Sequence, residues 1–202
     1  MKIKPNRRPQ GFTLIELLVV IAIIAVLAGG GFAAGNMAIQ KARKTTAMAT
    51  CVALESAVNN FYTEYGTMPM AGLSGNSDPQ VIETDNNTLL NVLLGLEPAN
   101  TANPLNPRKI KFLTVKQGKN NKDGLIYDRN GRNVERLVDP WGGPYFVQLD
   151  GNYDEKVEPR PAASGGSAAV VLNGRRVAAW SNGADAAPNG TGGKATDDVK
   201  TW

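Results

Sequence analysis

The sequence predicts an α+β fold: one long N-terminal helix, apolar in its first half and amphipathic in its second, packed on a small antiparallel β-sheet head. Three observations predict it. From Phe12 to Phe32 the run FTLIELLVVIAIIAVLAGGGF carries a single charge, Glu16. From Met37 to Tyr65 there is no proline, and Met48, Cys51, Leu54, Val58, Phe61 and Tyr65 recur three or four residues apart, one stripe of a 3.6-residue helix. Beyond Pro69 the chain breaks into short runs separated by proline, glycine and asparagine clusters.

The apolar run is roughly 21 residues long, enough as a helix rising ~1.5 Å per residue to cross a ~30 Å hydrocarbon core. Lys2, Lys4, Arg7 and Arg8 precede it and would stay in the cytoplasm, sending the C-terminal portion outward, although Lys41, Arg43 and Lys44 flank the other side. A secretory signal peptide shares the basic start. Its apolar core is only about 7 to 15 residues, however, and here the helical pattern runs on without a small-residue cleavage site. Glu16 is the anomaly, since an acid inside a membrane helix costs about 2.5–3.5 kcal/mol even on lenient scales, so a partner is expected.

Gly11-Phe12-Thr13-Leu14-Ile15-Glu16, behind a short basic leader and ahead of an apolar helix, resembles the cleavage and methylation motif of type IV pilins and type II secretion pseudopilins, residue for residue. The resemblance implies a pilin-like fold and a precursor. A membrane-embedded prepilin peptidase would cut after Gly11 on the cytoplasmic side and methylate the new amine of Phe12. Glu16 would pair with the N-terminal amine of a neighbouring subunit, each charge making the other tolerable in a low dielectric and so fixing the stagger between subunits. The chain then divides into a leader (1–11), the membrane half of the helix (12–35), its amphipathic half (36–66) and an exported head (67–202).

Many pilin helices carry a proline about 22 residues into the mature chain. None occurs here between Phe12 and Tyr65, but Gly29-Gly30-Gly31 lies nearby, and each glycine costs about 1 kcal/mol against alanine in a helix, so bending or unwinding is expected there in a filament. Gly66 and Pro69 end the helix. A helix from about Thr13 to Tyr65 would be roughly 80 Å long, half in lipid and half gripping the head, the ladle shape of pilins.

In the head, Asn87–Leu96 reads as a short helix with inward leucines, and Lys109–Val115 alternates as a half-exposed strand. Gln117–Asn133 is polar and glycine-containing, a long loop or hairpin tip. Asp139-Pro140-Trp141-Gly142-Gly143-Pro144-Tyr145 is a tight turn ahead of the strand-like Phe146–Leu149. It is similar to the DPWGxPY signature of the major type II secretion pseudopilin, and its aromatics read as core. Asp150–Asp154 begins like an EF-hand loop but has Glu155 in place of the glycine and Pro161 in place of the closing glutamate, so no EF-hand site is expected. Arg160–Ala169 is a connection and Val177–Trp180 a candidate last strand.

After that strand a glycine-rich loop runs from Ser181-Asn182-Gly183-Ala184-Asp185 to Asp197-Asp198. It holds little apolar content, and a hard cation could tie its acidic ends. The segment resembles the calcium-binding C-terminal loop of the major pseudopilin, which implies calcium held by the carboxylates of Asp185 and Asp198 and the backbone carbonyl of Asn182, with Ser181 and Asp197 as further candidates.

Other chemistries are excluded by composition. The chain has no histidine, which removes Ser-His-Asp and Cys-His catalysis, HExxH metalloprotease helices and imidazole zinc sites, and no enzyme is expected. Cys51 is the one cysteine, so no intramolecular disulfide forms. The net charge of +4 is accounted for by the first eight residues, and the neutral remainder makes a poor phosphate binder, so no nucleic-acid partner is expected. The resemblance implies a subunit of a periplasmic filament that drives protein export by a type II secretion system. Its partners would be other copies of itself, minor pseudopilins, the prepilin peptidase and an inner-membrane secretion platform. The chain would cross the bacterial inner membrane once, N-terminus cytoplasmic and head periplasmic. The alternative is a type IV pilus subunit serving adhesion, motility or DNA uptake, although pilins of that kind usually close their C-terminal region with a cysteine pair.

Overall fold

The computed structural model describes residues 11–71, 81–85, 87–159, 170–186 and 197–202, with the side chains of 30–34 outside the described set. Residues 1–10 of the expected leader (1–11) and the connection expected at 160–169 therefore lie outside the described residues. The chain divides into two units, Met1–Ala42 and Arg43–Trp202.

Helix α1 spans Leu14–Tyr65. Its hydrogen-bonded backbone runs unbroken through the three glycines in the single chain, where the unwinding expected of a filament has no counterpart. Every valine, leucine, isoleucine and phenylalanine from Phe12 to Leu27 is exposed in the first unit. Among the described residues, no helix is long and apolar enough to cross a membrane; the expected span includes 30–34, whose side chains lie outside them.

The second unit begins within α1. From Ala47 onward one face of the helix is buried: Ala47, Cys51, Leu54, Ala57, Val58 and Phe61 are each 0% exposed. This corrects the start of the expected stripe, because Met48 is turned outward and alanine at 47 takes its place against the core. The helix stops where Gly66 adopts a left-handed φ of 70° and its N–H closes on the Tyr62 carbonyl at 2.8 Å, a conformation glycine reaches at no steric cost.

The buried face meets a four-stranded antiparallel sheet in the order β1 (Ile82–Glu83), β4 (Phe146–Leu149), β7 (Val177–Ser181), β8 (Val199–Lys200). Helix α2 (Asn87–Leu94) buries Leu89, Leu90, Val92, Leu93 and Leu94, and packs against the strand Val134–Val138. A hairpin of β2 (Gly124–Tyr127) and β3 (Val134–Val138), and the short pair β5 (Lys156–Val157) and β6 (Leu172–Asn173), complete the unit.

Three sequence expectations in the head are corrected. Lys109–Val115 forms no ladder strand: the N–H groups of Phe112 and Leu113 both donate to the Leu93 carbonyl at the end of α2, so these residues cap a helix instead of pairing with a strand. The stretch 117–133 is not all loop, since β2 lies inside it. And β7 is not the last strand, because β8 pairs with its end, Trp180 opposite Lys200 and Ser181 opposite Val199.

Two buried polar side chains join these pieces. Thr84 donates its hydroxyl to Leu137 O at 2.7 Å and accepts from Tyr145 N at 2.8 Å, fastening β1 between β3 and β4. Asn106 accepts from Tyr65 OH and Ile110 N, and donates to Val92 O and Ile110 O, so α1, α2 and the loop after α2 meet on one amide.

Candidate functional site

Two places carry functional geometry. The first is the start of α1. Gly11 and Phe12 are exposed, and nothing crowds the α-carbon of Gly11, so the backbone that would be cut is accessible. One residue further on, Thr13 caps the helix. Its N–H and its hydroxyl both donate to Glu16 Oε2 at 2.8 Å, while Glu16 N–H donates back to Thr13 Oγ1 at 3.3 Å. This is a capping box, in which the Thr-x-x-Glu spacing satisfies N–H groups that have no partner within the helix. Sequence reasoning treated Glu16 only as an acid awaiting another subunit; the threonine three residues earlier was the signal for this second role. Both bonds from Thr13 go to Oε2, and among the described residues Oε1 carries no bond.

The second place is the open end of the β7–β8 pair. Antiparallel register sets Ser181 opposite Val199, so residues just past β7 face residues just before β8. A single 3₁₀ turn, Gly183–Asp185, follows Asn182 and ends at Ala186 with a left-handed φ of 55°. The structure brings Asp185, Asp197 and Asp198 together: one carboxylate oxygen from each lies within 4.8 Å of the others. The Asp185 N–H donates to Asp197 Oδ2 at 3.3 Å, and Lys200 Nζ lies 3.4 Å from Asp198 Oδ2.

Whether a hard cation fits here is tested by the oxygens. Asn182 Oδ1 and Asp197 Oδ1 are both buried with no hydrogen-bond partner among the described residues, a costly state for oxygens that a cation would relieve. Three carboxylates plus amide oxygen is an all-oxygen donor set, the chemistry of calcium rather than of a softer metal. The orphaned atom of Asn182 is its side-chain oxygen, where sequence reasoning looked to its backbone carbonyl. Asp197 stands in the cluster beside Asp185 and Asp198.

Ser181 is placed differently. Its buried hydroxyl donates to Asp139 Oδ2 at 2.6 Å and accepts from Gly183 N at 3.1 Å, which leaves it poorly placed to ligate. Asp139 opens the Asp-Pro-Trp-Gly-Gly-Pro-Tyr turn, and its other oxygen accepts from the N–H groups of Trp141, Gly142 and Gly143 at 2.7 to 2.9 Å. Tyr145, at the end of this turn, is buried in the core, and Trp141 is half-buried against it. The first Asp of the rejected EF-hand segment, Asp150, accepts from Asp154 N and Glu155 N, and burial raises its carboxyl above the ordinary range.

The strand after the cluster is fastened to α1. The Thr201 hydroxyl donates to Glu55 Oε1, and Arg175 reaches both the Thr201 carbonyl at 3.0 Å and Glu55 at 3.4 Å. Burial raises the Glu55 carboxyl above its ordinary value, against the pull of Thr201 and Arg175. Trp202 packs edge-on to Trp180, which stacks on Phe146.

Residues 6–32 match the family model described as the prokaryotic N-terminal methylation motif. The chain is similar to a fimbrial protein of Neisseria meningitidis serogroup A, 28% identical over 140 residues that cover 65% of this chain and 78% of that protein. It is also similar to the type IV major pilin protein PilE1 of Neisseria gonorrhoeae, 34% identical over 37% of this chain and 35% of that protein. A third relative is prepilin peptidase-dependent protein D of Escherichia coli K12, 34% identical over 44% of this chain and 61% of that protein. No solved structure matches.

Proposed function

We infer that this chain, which belongs to the pilin-like family of prepilins, is a filament subunit with a structural and not an enzymatic role. The observation that carries this is the start of α1, where an exposed Gly11-Phe12 bond directly precedes a capped helix bearing the lone acid of the apolar run. Hydrolysis after Gly11 by a prepilin peptidase leaves a new amine on Phe12, which is then methylated and stays cationic. Thr13 holds Glu16 by Oε2, so Oε1 is open to the amine of an adjacent copy. Out of water the Thr13 bonds satisfy only one oxygen of Glu16, and the charge pair forms only in one register. The apolar residues from Phe12 onward hold the subunit in the inner membrane before assembly, with the head on the periplasmic side.

Within this family we assign the chain to a type II secretion filament, as a pseudopilin that works with minor pseudopilins and an inner-membrane secretion platform. The Asp139–Tyr145 turn and the aspartate cluster at the end of β7–β8 support this reading. Asp185, Asp197, Asp198 and Asn182 would hold calcium there, whose charge joins the two ends of the loop. The names of the Neisseria relatives favour a second reading, a type IV pilus subunit.

Glu16→Leu tests the assembly step: filaments formed at normal yield and order refute it. N-terminal mass spectrometry reads the processing, and recovery of an intact, unmethylated precursor as the working form refutes that as well. Deletion in the source organism separates the two settings. Loss of protein export with surface pili intact supports the secretion reading, whereas loss of surface pili with export intact supports the other. Calcium chloride at millimolar concentration should raise the Tm of the full chain in detergent, and an unchanged Tm removes the metal site.

A further inference from the structure

Asp139, Ser181 and Gly183 are joined in series beside the aspartate cluster. Gly183 has a φ of 72°, and a β-carbon built there would collide with the Asp197 carbonyl, so the 3₁₀ turn lies directly against Asp197 and Asp198, the residues just before β8. The Gly183 N–H is fixed by Ser181 Oγ at 3.1 Å. Ser181, 0% exposed, sends its own proton to Asp139 Oδ2 at 2.6 Å, and that bond fixes the rotation of the hydroxyl with a lone pair toward Gly183. Asp139 in turn is 1% exposed and is anchored by three backbone N–H groups of its own turn. A carboxylate has no proton to give, so it sets the polarity of the chain: Asp139 accepts, Ser181 donates, and the oxygen of Ser181 is turned toward Gly183.

We propose that Asp139 and Ser181 are positioning residues for the cation site, setting its affinity by holding Gly183, and with it Asn182 and Asp185, in register with Asp197 and Asp198. The inference rests on the calcium reading above and deepens it. It also gives the Asp139–Tyr145 turn a role in metal affinity, since the turn's aspartate ends in the loop that binds the ion.

Asp139→Asn keeps the size of the side chain but can place an amide N–H where Oδ2 stood, which donates to Ser181 and reverses the polarity. Ser181→Ala removes the relay outright. Calcium affinity of the full chain in detergent is measured by isothermal titration with calcium chloride, and the Tm of each protein in excess EDTA is measured separately. Groups that orient metal ligands typically change affinity by about 10- to 100-fold when removed. Each single variant should weaken calcium binding by at least about 10-fold, and the double variant should be no weaker than either, because both break the same chain of bonds. A loss of stability in EDTA with wild-type calcium affinity would mean a purely structural role and overturns the proposal. Additive losses in the double variant overturn the shared relay. If Asp139→Asn does not fold, Ser181→Ala alone decides between the same outcomes. Absence of calcium binding by the wild type sinks the site itself, a result distinct from wild-type binding that the variants leave intact.

Discussion

Replacing Asn106 with alanine removes an amide that is 1% exposed and engaged on both sides. Its oxygen accepts from Tyr65 OH at 2.8 Å and Ile110 N at 3.0 Å; its nitrogen donates to Val92 O at 2.8 Å and Ile110 O at 2.7 Å. Each such bond contributes about 1 kcal/mol net, and a buried group left without a partner costs about 1–3 kcal/mol. Tyr65 and Ile110 are both half-buried, whereas the bond to Val92 O is buried, so the loss comes from four bonds and one carbonyl shut off from solvent. The expected loss is about 3–4 kcal/mol, a large share of the ~5–15 kcal/mol available to a domain. Urea denaturation of the full chain in detergent, followed by the fluorescence of Trp141, Trp180 and Trp202, reads it directly. With a slope of about 2 kcal/mol/M the midpoint should fall by ~1.5–2 M. A loss under ~1 kcal/mol would show that water replaces the amide and that the three segments are not joined through it.

Glu55 should make stability depend on pH. Its folded pKa lies above the ordinary 4.5, chiefly through burial, so its contribution is present below that value and fades as pH rises through the raised one. Tm should therefore decline across that window and decline less in Glu55→Gln; Asp150, shifted the same way, leaves a residual slope. Cys51 is fully buried and its thiol is pushed well above the usual range, so iodoacetamide should label it only after denaturation, which mass spectrometry checks. Phe61→Ala removes a ring that is 0% exposed and lies 4.8 Å from Tyr65 and 5.3 Å from Phe112, and chemical denaturation should register a loss of about 3–5 kcal/mol.

The long helix was legible because its signals are local: a break-free sequence, a stripe at helical spacing and Gly66 at its end. The exchange of Met48 for Ala47 shows the limit of periodicity, since either residue falls near the stripe and only packing decides which side chain the sheet has room for. Strand Phe146–Leu149 matched its sequence boundaries, but β2, Gly124–Tyr127, did not stand out, because its pairing with β3 is supplied by residues about ten positions away. Lys109–Val115 alternates like a strand and lacks a strand to pair with; its N–H groups go to the carbonyl of Leu93. The aspartates near the end of the chain could be read as a group from composition. Their juxtaposition depends on β8, whose two residues carry almost no propensity signal, and the link from Ser181 to Asp139 joins positions 42 residues apart.

With the assembly step proposed above, the box at the start of α1 gives one carboxylate two duties at different stages of the subunit's life. Glu16→Leu would then fray the first turn of a lone chain as well as deprive a neighbouring copy of its counter-charge, so a loss of filaments in that variant would have two causes. Thr13→Val separates them, because it deletes the hydroxyl side of the box and spares the acid. In that proposal helix onset and stacking use different oxygens of Glu16, and a subunit would join its neighbours with its first turn already wound.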